Sequence, residues 1–292
     1  RFVRGIRIVT ATTVTLLGAT GFVGGRVLRN LDQHGIRVEA VSRQPRPPGM
    51  SPNIGWTQAD LNEPGAVAKI PWRETVISTV FVAMTAQVVE QWSPSASRRL
   101  VAFSSTSALT KSNSSESSDR EISVLLSEGE ARLRELHPNV TILRPTMIYG
   151  GPGDRNVERV AQQLLKFPFF PLVGSGMGLR QPVHADDLAT AAVLATKSSL
   201  ASGKAYNLAG SEVLPFRQMI QRIGAANNSA VRFVSIPLPA ARTALLLLSS
   251  LPRFRGIPLG SLERMSQDLV FDISEARQDF GYAPRPFEPP TY

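Results

Sequence analysis

The chain has 292 residues, a formal net charge of +9 and no cysteine. The lack of cysteine excludes disulfides and thiolate metal sites, and three scattered histidines argue against a zinc site. The positive charge favours anionic ligands such as nucleotides, but the basic residues form no long run, so we expect no specific nucleic-acid partner. We find no apolar segment long enough to cross a bilayer and expect a cytoplasmic protein. Residues 1–12 lack the apolar core of a signal peptide and are left out of the fold prediction.

The first predicted element is a buried strand at residues 14–17, followed by Gly18, Gly21 and Gly24 and then by a helical apolar pattern. A second strand at residues 37–41 closes a β–α–β unit. Gly18 would permit a tight turn, Gly21 a close approach of a pyrophosphate, and Gly24 close packing of helix on strand. The spacing is G-x-x-G-x-x-G rather than the more familiar G-x-G-x-x-G, and the glycines could serve packing alone. The order of strand, turn and helix nevertheless favours dinucleotide binding.

Strands and helices continue to alternate up to residue 150, which favours a parallel sheet with helices on both faces. We predict strands at residues 54–59, 75–82, 100–104 and 140–143, and helices at residues 62–69, 85–92 and 119–136. Ser118 and Glu121 have the spacing of a capping box at the start of the last helix. Residues 105–118 are rich in Ser, Thr and Asn and are predicted to form a loop.

Beyond residue 150, glycine and proline become dense and the regular alternation ends. We predict helices at residues 156–166, 186–196 and 216–226, and strands at residues 205–208 and 231–236. The expected architecture is a doubly wound α/β core at residues 13–150, to which residues 180–210 return. Residues 151–179 and 211–292 would form a small mixed lid over the carboxyl ends of the strands, where ligands of such sheets bind.

Residues 240–251 form the most apolar stretch and contain Arg242. They could belong to the core of the lid or to the face of a homodimer. Because Arg253 and Arg255 follow, they could instead lie on an anionic membrane surface, which leaves peripheral membrane contact open.

Several short motifs then occur in one order along the chain. They are the glycine turn, Asp60-Leu61, Phe103-Ser104-Ser105-Thr106, RPTMIYG at 144–150, RQPVHADD at 180–187 and Tyr206-Asn207-Leu208. Together they resemble the extended short-chain dehydrogenases/reductases of the NAD(P)-dependent epimerase/dehydratase group, from residue 13 to about residue 285. The resemblance implies a Rossmann-type core and hydride transfer between a nicotinamide coenzyme and a nucleotide-sugar or a similar carbonyl or alcohol substrate.

The resemblance also implies a role for individual residues. The pyrophosphate would be held by Gly18, Thr20, Gly21, Phe22 and Val23. The adenine would lie between Asp60 and Leu61, the ribose and nicotinamide would meet Thr79 and Val80, and Pro145 would contact the nicotinamide ring. The reacting oxygen of the substrate would meet Thr106, and Arg180 and His184 would face the substrate.

The end of the second predicted strand bears on the choice of coenzyme. An NAD enzyme needs an acidic residue there for the ribose 2′-hydroxyl, but this chain has Ser42 and Arg43. Because arginine pairs with a 2′-phosphate, we favour NADP and keep NAD as the alternative. Arg43 could also be an ordinary solvated arginine.

The acid–base pair of the family, Tyr-x-x-x-Lys, is absent. The four tyrosines are Tyr149, Tyr206, Tyr282 and Tyr292. None of them is followed by a lysine four residues later. Aligning the helix predicted at residues 119–136 puts Val124 in place of the tyrosine and Glu128 in place of the lysine. Glu128 could act as a general base if it points into the cleft, or could be an exposed residue paired with Arg132. Ser107 and Lys111 keep the four-residue spacing in the predicted loop, where chance is the simpler explanation.

The substrate side keeps its alternatives open. Arg180 suits a phosphate or a carboxylate but could be a surface arginine, and His184 could serve only to hydrogen-bond beside a helix that Asp186 caps. Two functions follow: an enzyme with non-standard proton chemistry, or a coenzyme-binding sensor or assembly protein without turnover. An open cleft reached by Thr106 and Glu128 would favour the enzyme. A cleft plugged by Phe169 or Phe170 would favour the sensor.

Overall fold

A parallel β-sheet forms the centre of the computed structural model, which describes residues 13–92, 98–167, 169–237, 239–241, 243 and 264–292. The strands are β1 (Thr13–Leu17), β2 (Arg37–Ser42), β3 (Ile54–Gln58), β4 (Thr75–Ser78), β5 (Arg99–Phe103), β6 (Thr141–Pro145), β7 (Ile148–Tyr149), β8 (Phe169–Val173), β9 (Leu179–Arg180), β10 (Val183–His184), β11 (Ala205–Leu208), β12 (Leu214–Pro215) and β13 (Arg232–Ile236). The helices are α1 (Gly24–Gln33), α2 (Val82–Trp92), α3 (Ser107–Thr110), α4 (Ser117–Leu136), α5 (Val157–Lys166), α6 (Ala185–Lys197), α7 (Phe216–Ala226) and α8 (Ser274–Phe280).

Seven of these strands form the sheet, in the order β11-β6-β5-β4-β1-β2-β3, and every neighbouring pair is parallel. The chain builds the sheet outward from β1 in one direction and then from β4 in the other. The switch point therefore lies between the carboxyl ends of β1 and β4, where doubly wound folds bind their ligands. This Rossmann-type α/β sheet confirms the predicted fold class.

Both faces of the sheet are buried, as the apolar strands predict. Successive side chains of a strand point to opposite faces, so Leu16 packs with α1 and α6 while Leu17 packs with α2 and α4. A third apolar cluster joins α5 and α7 to the short strands of the lid. Residues 273–282, which we had placed with the lid, contribute Ile273 and Phe280 to the cluster around α1 and α6.

Several element boundaries differ from the prediction. The segment at 62–69 contains only a 3₁₀ turn, Val67–Lys69. The β-branched run at 75–82 divides, because β4 ends at Ser78 and α2 begins at Val82. The predicted loop at 105–118 contains α3.

The predicted capping box also does not form. The α4 helix begins at Ser117, and the Ser118 hydroxyl donates to the Glu116 carboxylate at 3.1 Å. Within the described ranges, no helix is long and apolar enough to span a membrane. Residues 1–12 and most of 240–251 lie outside the described part of the chain.

Candidate functional site

The turn after β1 requires glycine at two positions. Gly18 has φ +80°, a conformation that a side chain disfavours. A Cβ on Gly24 would overlap the carbonyl oxygen of Gly18 and would lie 2.7 Å from the Thr79 hydroxyl oxygen. The start of α1 therefore packs directly on the turn, as the sequence predicted for Gly24.

Three main-chain N–H groups at this turn are unpaired. Across the described ranges, the main-chain N–H groups of Thr20, Phe22 and Val23 donate to no protein acceptor. They lie just before the ten-residue helix α1, whose N-terminal end favours negative charge. The residues present thus fit a bound pyrophosphate.

Thr79 holds the turn in place from the neighbouring strand. Its hydroxyl donates to the carbonyl oxygens of Leu17 at 2.9 Å and Gly18 at 3.2 Å. We had expected Thr79 to line the ribose and nicotinamide side. It does line the cavity at that place, but its hydroxyl proton is used by the turn itself.

A cavity of about 450 Å³ lies beside the turn at the ends of β1, β2 and β4, and we call it the strand-end cavity. Most of the predicted coenzyme residues line it, namely Gly18, Thr20, Gly21, Ser42, Arg43, Asp60, Leu61, Thr79 and Val80. These residues lie far apart in sequence, and the parallel sheet gathers them at one edge. The structure thus brings the predicted adenosine side together as one continuous surface.

The polar groups of the strand-end cavity are fixed by short local contacts. Ser42 is buried and shares a hydrogen bond of 2.8 Å with the Thr20 hydroxyl. The Asp60 carboxylate accepts from the main-chain N–H of Asn62 at 3.0 Å and from its side-chain amide at 2.9 Å. These hydrogen bonds lower the pKa of Asp60, and Arg43 lowers it further. Arg43 is exposed at the rim of the cavity, which leaves its guanidinium accessible.

A second space of about 690 Å³ lies on the other side of the same turn and contains Thr20, Phe22 and three arginines, Arg26, Arg29 and Arg155. The Arg26 guanidinium lies 4.0 Å from the centre of the Phe22 ring, and its Nε is 3.0 Å from the Asp186 carboxylate. Cationic groups therefore surround the turn on its outer side as well.

The third cavity, of about 350 Å³, is the α4 cavity, lined by Val23, Val80 and Pro145 among others. From α4 it receives Ile122 and Leu126, which are four residues apart. The α4 side chains that reach this cavity are therefore Ile122 and Leu126, and not the Val124 and Glu128 that we aligned with the acid–base pair.

Glu128 and Val124 lie on the solvent-exposed face of α4, with Val124 50% exposed. Glu128 does not line the α4 cavity, so the general-base role proposed for it loses its geometric basis. The expected pair with Arg132 is also absent, because Arg132 bonds Glu90 and Glu135. A helix turns 100° per residue, so a two-residue error in register moves a side chain to the opposite face.

The fourth cavity is the lid cleft, of about 530 Å³, between α3, the lid and the segment after residue 264. Among the residues that the structure describes, three cations line it: Lys111, Arg180 and Arg264. Lys111 Nζ lies 2.6 Å from Asp119 Oδ1, and Arg264 bonds the other oxygen of the same buried carboxylate. Burial opposes ionisation of Asp119, but its bonds to Lys111 and Arg264 outweigh this and lower its pKa.

Arg180 is buried in the wall of the lid cleft, with 4% of its surface exposed. It donates to the carbonyl oxygens of Gln267 at 2.7 Å and Leu179 at 2.8 Å, and also to that of Arg264. Burial lowers the pKa of Arg180 to about 10. The residue is thus neither a free surface arginine nor an unengaged ligand: it anchors the segment that covers the cleft and keeps a positive charge beside it.

Four hydroxyl groups in succession follow β5, and three of them are engaged. Thr106 Oγ1 donates to the Pro145 carbonyl at 3.1 Å, and Ser104 Oγ donates to Glu130 at 2.6 Å. Ser105 Oγ accepts from the main-chain N–H of Ser107 at 3.1 Å. In the part of the chain that the structure describes, the Ser107 hydroxyl has no hydrogen-bond partner.

Ser105 and Ser107 line both the α4 cavity and the lid cleft. They therefore stand at the boundary between the two spaces, whereas Thr106 lines only the lid cleft. The family resemblance implies that Thr106 hydrogen-bonds the reacting oxygen of the substrate, and we took the Ser107–Lys111 spacing for chance. The spacing was the only signal for Ser107, and it became informative only when α3 turned both residues toward the cleft.

His184 caps α6. Its Nδ1 accepts from the Asp186 main-chain N–H at 3.1 Å, which places the proton of the neutral ring on Nε2. Burial, followed by Arg285, lowers the pKa of His184. It lines neither the lid cleft nor the α4 cavity, and the structural alternative accounts for its contacts.

Neither candidate plug residue closes the lid cleft. Phe170 is buried against Phe216, with ring centroids 6.0 Å apart, and Phe169 is exposed on β8. We did not predict Asp119 and Arg264 from the sequence. They are 145 residues apart, and no local pattern could reveal that they form a pair.

A 25% identical 2-alkyl-3-oxoalkanoate reductase of Stenotrophomonas maltophilia (strain K279a) is matched over 93% of this chain and 94% of its own length. Subunit 9 of the NADH dehydrogenase [ubiquinone] 1 alpha subcomplex, mitochondrial, of Arabidopsis thaliana is 36% identical over 39% of this chain and 28% of its own length. Four curated relatives are each matched over less than half of their own length.

Among solved structures, MoeE5 in complex with UDP-glucuronic acid and NAD superposes with a TM-score of 0.71 at 18% identity, covering 94% of each chain. At this identity the likeness shows the fold. The model of the NAD dependent epimerase/dehydratase family matches residues 14–112 and 74–209, which together are more than half of the chain. The chain therefore belongs to the NAD dependent epimerase/dehydratase family.

Proposed function

We propose that the protein binds a nicotinamide coenzyme across the glycine turn and acts on a carbonyl or alcohol substrate in the lid cleft. The observation that carries this proposal is the row of unpaired N–H groups at Thr20, Phe22 and Val23, beside a cavity lined by the predicted coenzyme residues. The coenzyme would accept or donate a hydride. The chain itself supplies the phosphate cradle, the α4 cavity for the ring and a cationic cleft for the substrate.

NADP is the proposed coenzyme, with NAD as the alternative. Two features support the preference: the exposed guanidinium of Arg43 at the rim of the strand-end cavity, and the neutral Ser42 at the end of β2. Replacing Arg43 by glutamine should weaken NADPH binding about tenfold and leave NADH binding nearly unchanged, because one charge-assisted hydrogen bond is lost. Fluorescence titration with both coenzymes measures this, and equal losses for both would contradict the preference.

The substrate is proposed to be a nucleotide-sugar or a similar carbonyl or alcohol compound. The positive lid cleft supports an anionic substrate, and the fold is that of MoeE5, whose structure holds UDP-glucuronic acid. The full-length similarity to a 2-alkyl-3-oxoalkanoate reductase supports a carbonyl compound outside the sugars.

The experiment for this function combines binding and turnover. Purified protein is titrated with NADPH and NADH, and coenzyme absorbance is followed with nucleotide-sugars and oxo acids. We expect coenzyme binding in the micromolar range and a change in absorbance with at least one class. If neither NADPH nor NADH binds, the proposal is overturned.

The second candidate is a coenzyme-binding protein without turnover, serving as a sensor or an assembly subunit. Ile122 and Leu126 favour it, because they put two apolar side chains in the α4 cavity at the spacing of the missing acid–base pair. The similarity to a subunit of NADH dehydrogenase is consistent with such a role. Tight coenzyme binding without turnover of any carbonyl or alcohol would favour this candidate.

A further inference from the structure

We propose that the lid cleft is built for an amphipathic acid, an oxo acid or hydroxy acid with one carboxylate and an alkyl chain, rather than for a sugar. The proposal deepens the proposed function by naming the substrate class, and it rests on that function only for the redox step. Three observations carry it: the charge of the cleft, the apolar side chains beside that charge, and the engagement of the polar side chains.

The charge of the cleft is positive. Lys111 and Arg264 share the single carboxylate of Asp119, so this group of three carries a net charge of +1. Arg180 adds a second positive charge; its hydrogen bonds go to neutral carbonyl oxygens, and the nearby Asp268 carboxylate offsets only part of its cost of burial. Among the described residues that line the cleft there is no aspartate or glutamate. A buried cation without a carboxylate partner is costly, and an anionic ligand offsets that cost.

Six apolar side chains line the cleft beside the three cations. They come from the segment after β6, from α7 and from residues 265–271. They are Met147, Ile148, Phe216, Met265, Leu269 and Phe271. Two of them are methionines, which adapt to flexible chains. Because the cations and the apolar wall bound one cavity of about 530 Å³, a ligand with a charged head and an alkyl chain fits both.

The polar side chains of the cleft are mostly engaged by the protein itself. Gln181 donates to the Gly210 carbonyl at 2.8 Å and accepts from the Phe271 N–H at 3.0 Å. The Thr146 hydroxyl donates to the Gln181 carbonyl at 2.6 Å, and the Asn156 amide donates to the Ile148 carbonyl at 3.0 Å.

A sugar presents several hydroxyl groups, each of which loses water when it enters a cleft and needs a new partner. The cleft offers few side-chain groups that are free to supply them. The free hydroxyl of Ser107 lies at the boundary with the α4 cavity, where a single carbonyl oxygen of the ligand would meet it.

The test is a binding series that needs no turnover. Hexanoate, octanoate and decanoate, octanoate methyl ester and UDP-glucose are titrated into the full chain by calorimetry, with and without NADP⁺. We expect affinity to rise about fourfold for each added CH₂, because each buried CH₂ contributes about 0.8 kcal/mol. The methyl ester should bind at least tenfold more weakly than octanoate, because it lacks the charge.

Two variants locate the site. Lys111→Gln should weaken octanoate at least fivefold, and Leu269→Ala should weaken decanoate, since both side chains line the cleft. Lys166→Gln, which changes an exposed lysine of α5, is the matched control and should leave binding unchanged. Circular dichroism checks that each variant is folded, and Leu269→Ala keeps the test valid if Lys111→Gln does not fold.

The outcomes separate the inference from the proposed function. UDP-glucose binding more tightly than decanoate, an ester binding as well as its acid, or variants without effect would each overturn the inference. Acid binding that persists in a protein without affinity for coenzyme would support the inference and refute the proposed function. Reduction of 3-oxodecanoate by NADPH would support both.

Discussion

The coenzyme side and the substrate side of this molecule are built in different ways. On the proposed coenzyme side, the main chain supplies the free donors: unpaired N–H groups lie at a turn that requires glycine at Gly18 and Gly24. On the substrate side, side chains set the character of the cleft, and many of them are held by partners more than 80 residues away, as Arg264 is by Asp119. A family can therefore keep the first region while its members change the second.

The difference explains the mixed nature of the site. The coenzyme cavities contain nearly every residue that the family resemblance assigns to them. The substrate side departs from the family pattern, with Ile122 and Leu126 at the spacing of the acid–base pair. The following variants test the two regions against each other, starting with the largest expected effect.

Gly24→Val should give the largest loss. The new side chain would overlap the carbonyl oxygen of Gly18, so we expect a loss on the order of 4 kcal/mol in the free energy of unfolding, together with loss of NADPH binding. Urea denaturation and fluorescence titration measure the two effects.

Gly25→Ala is the matched control for stability. A Cβ at Gly25 would meet its nearest atom, the Ala19 carbonyl oxygen, at an ordinary 3.6 Å. Alanine is also the better helix former, so the free energy of unfolding should stay the same or rise by up to about 1 kcal/mol. Equal destabilisation by both variants would show that the turn is not closely packed.

Asp119→Asn should destabilise the protein by about 3 kcal/mol at pH 7, because it leaves Lys111 and Arg264 beside each other without their shared carboxylate. The wild type should show a matching dependence on pH. The folded-state pKa of Asp119 lies below its ordinary value of 3.8, and that of Glu130 lies below 4.5, where its bonds to Arg144 and Ser104 outweigh burial. Their contribution is therefore complete above these ordinary values and is lost as pH falls below them.

Urea denaturation between pH 2.5 and pH 7 measures this dependence. The slope of unfolding free energy against pH below pH 4 should be shallower in Asp119→Asn than in the wild type. Parallel curves would mean that Asp119 is not an ionised partner of the two cations.

Ser107→Ala should lower the turnover number about 100-fold for any substrate that the wild type reduces, with little effect on coenzyme affinity. The reason is that the Ser107 hydroxyl stands free at the boundary of the α4 cavity and the lid cleft. Ser107→Thr, which keeps a hydroxyl, should recover part of the rate, and Ser112→Ala changes an exposed serine nearby as control.

Thr106→Val separates the neighbouring hydroxyl from this effect. The Thr106 hydroxyl donates to the Pro145 carbonyl, so its removal should cost about 1 kcal/mol of stability and change turnover less than Ser107→Ala does. A larger kinetic effect of Thr106→Val would restore the role that the family resemblance gave to Thr106.

Phe22→Ala should give the smallest effect of the series. Its ring supports the Arg26 guanidinium at 4.0 Å on the outer side of the turn, a contact that contributes about 1 kcal/mol at a partly exposed site. We expect coenzyme affinity to fall less than tenfold, because the main-chain N–H of residue 22 is retained. A complete loss of binding would mean that side chains, and not only the main chain, hold the pyrophosphate.

The sequence predicted the coenzyme side well because that side depends on local patterns. Strand, glycine turn and helix follow one another within residues 13–33, and β2 begins at Arg37, as predicted. The family resemblance assigned Asp60 to the adenine, and Arg43 was considered because it follows the second predicted strand, where the 2′-position of the ribose is recognised. None of these inferences required knowledge of a distant contact.

The substrate side could not be predicted in the same way. Glu128 was assigned by aligning residues 127–131 with the lysine segment of the family, and without a tyrosine or a lysine nothing fixed that alignment; a shift of two residues turns a helical side chain to the opposite face. Arg180 lines the cleft, but two of its three carbonyl partners, Gln267 and Arg264, lie more than 80 residues away in sequence. Asp119 has no local signal, since a helical aspartate near an N-terminus is usually solvated.

The hydrogen bonds of Arg180 have one further consequence. The same guanidinium anchors residues 264–267 beside the cleft and carries part of the positive charge that we propose attracts an anionic ligand. An anion that draws the Arg180 guanidinium toward itself would compete with the Gln267 and Arg264 carbonyls for the same N–H donors. A substitution of Arg180 would therefore change two properties together, the anchoring of residues 264–267 and the positive charge of the cleft.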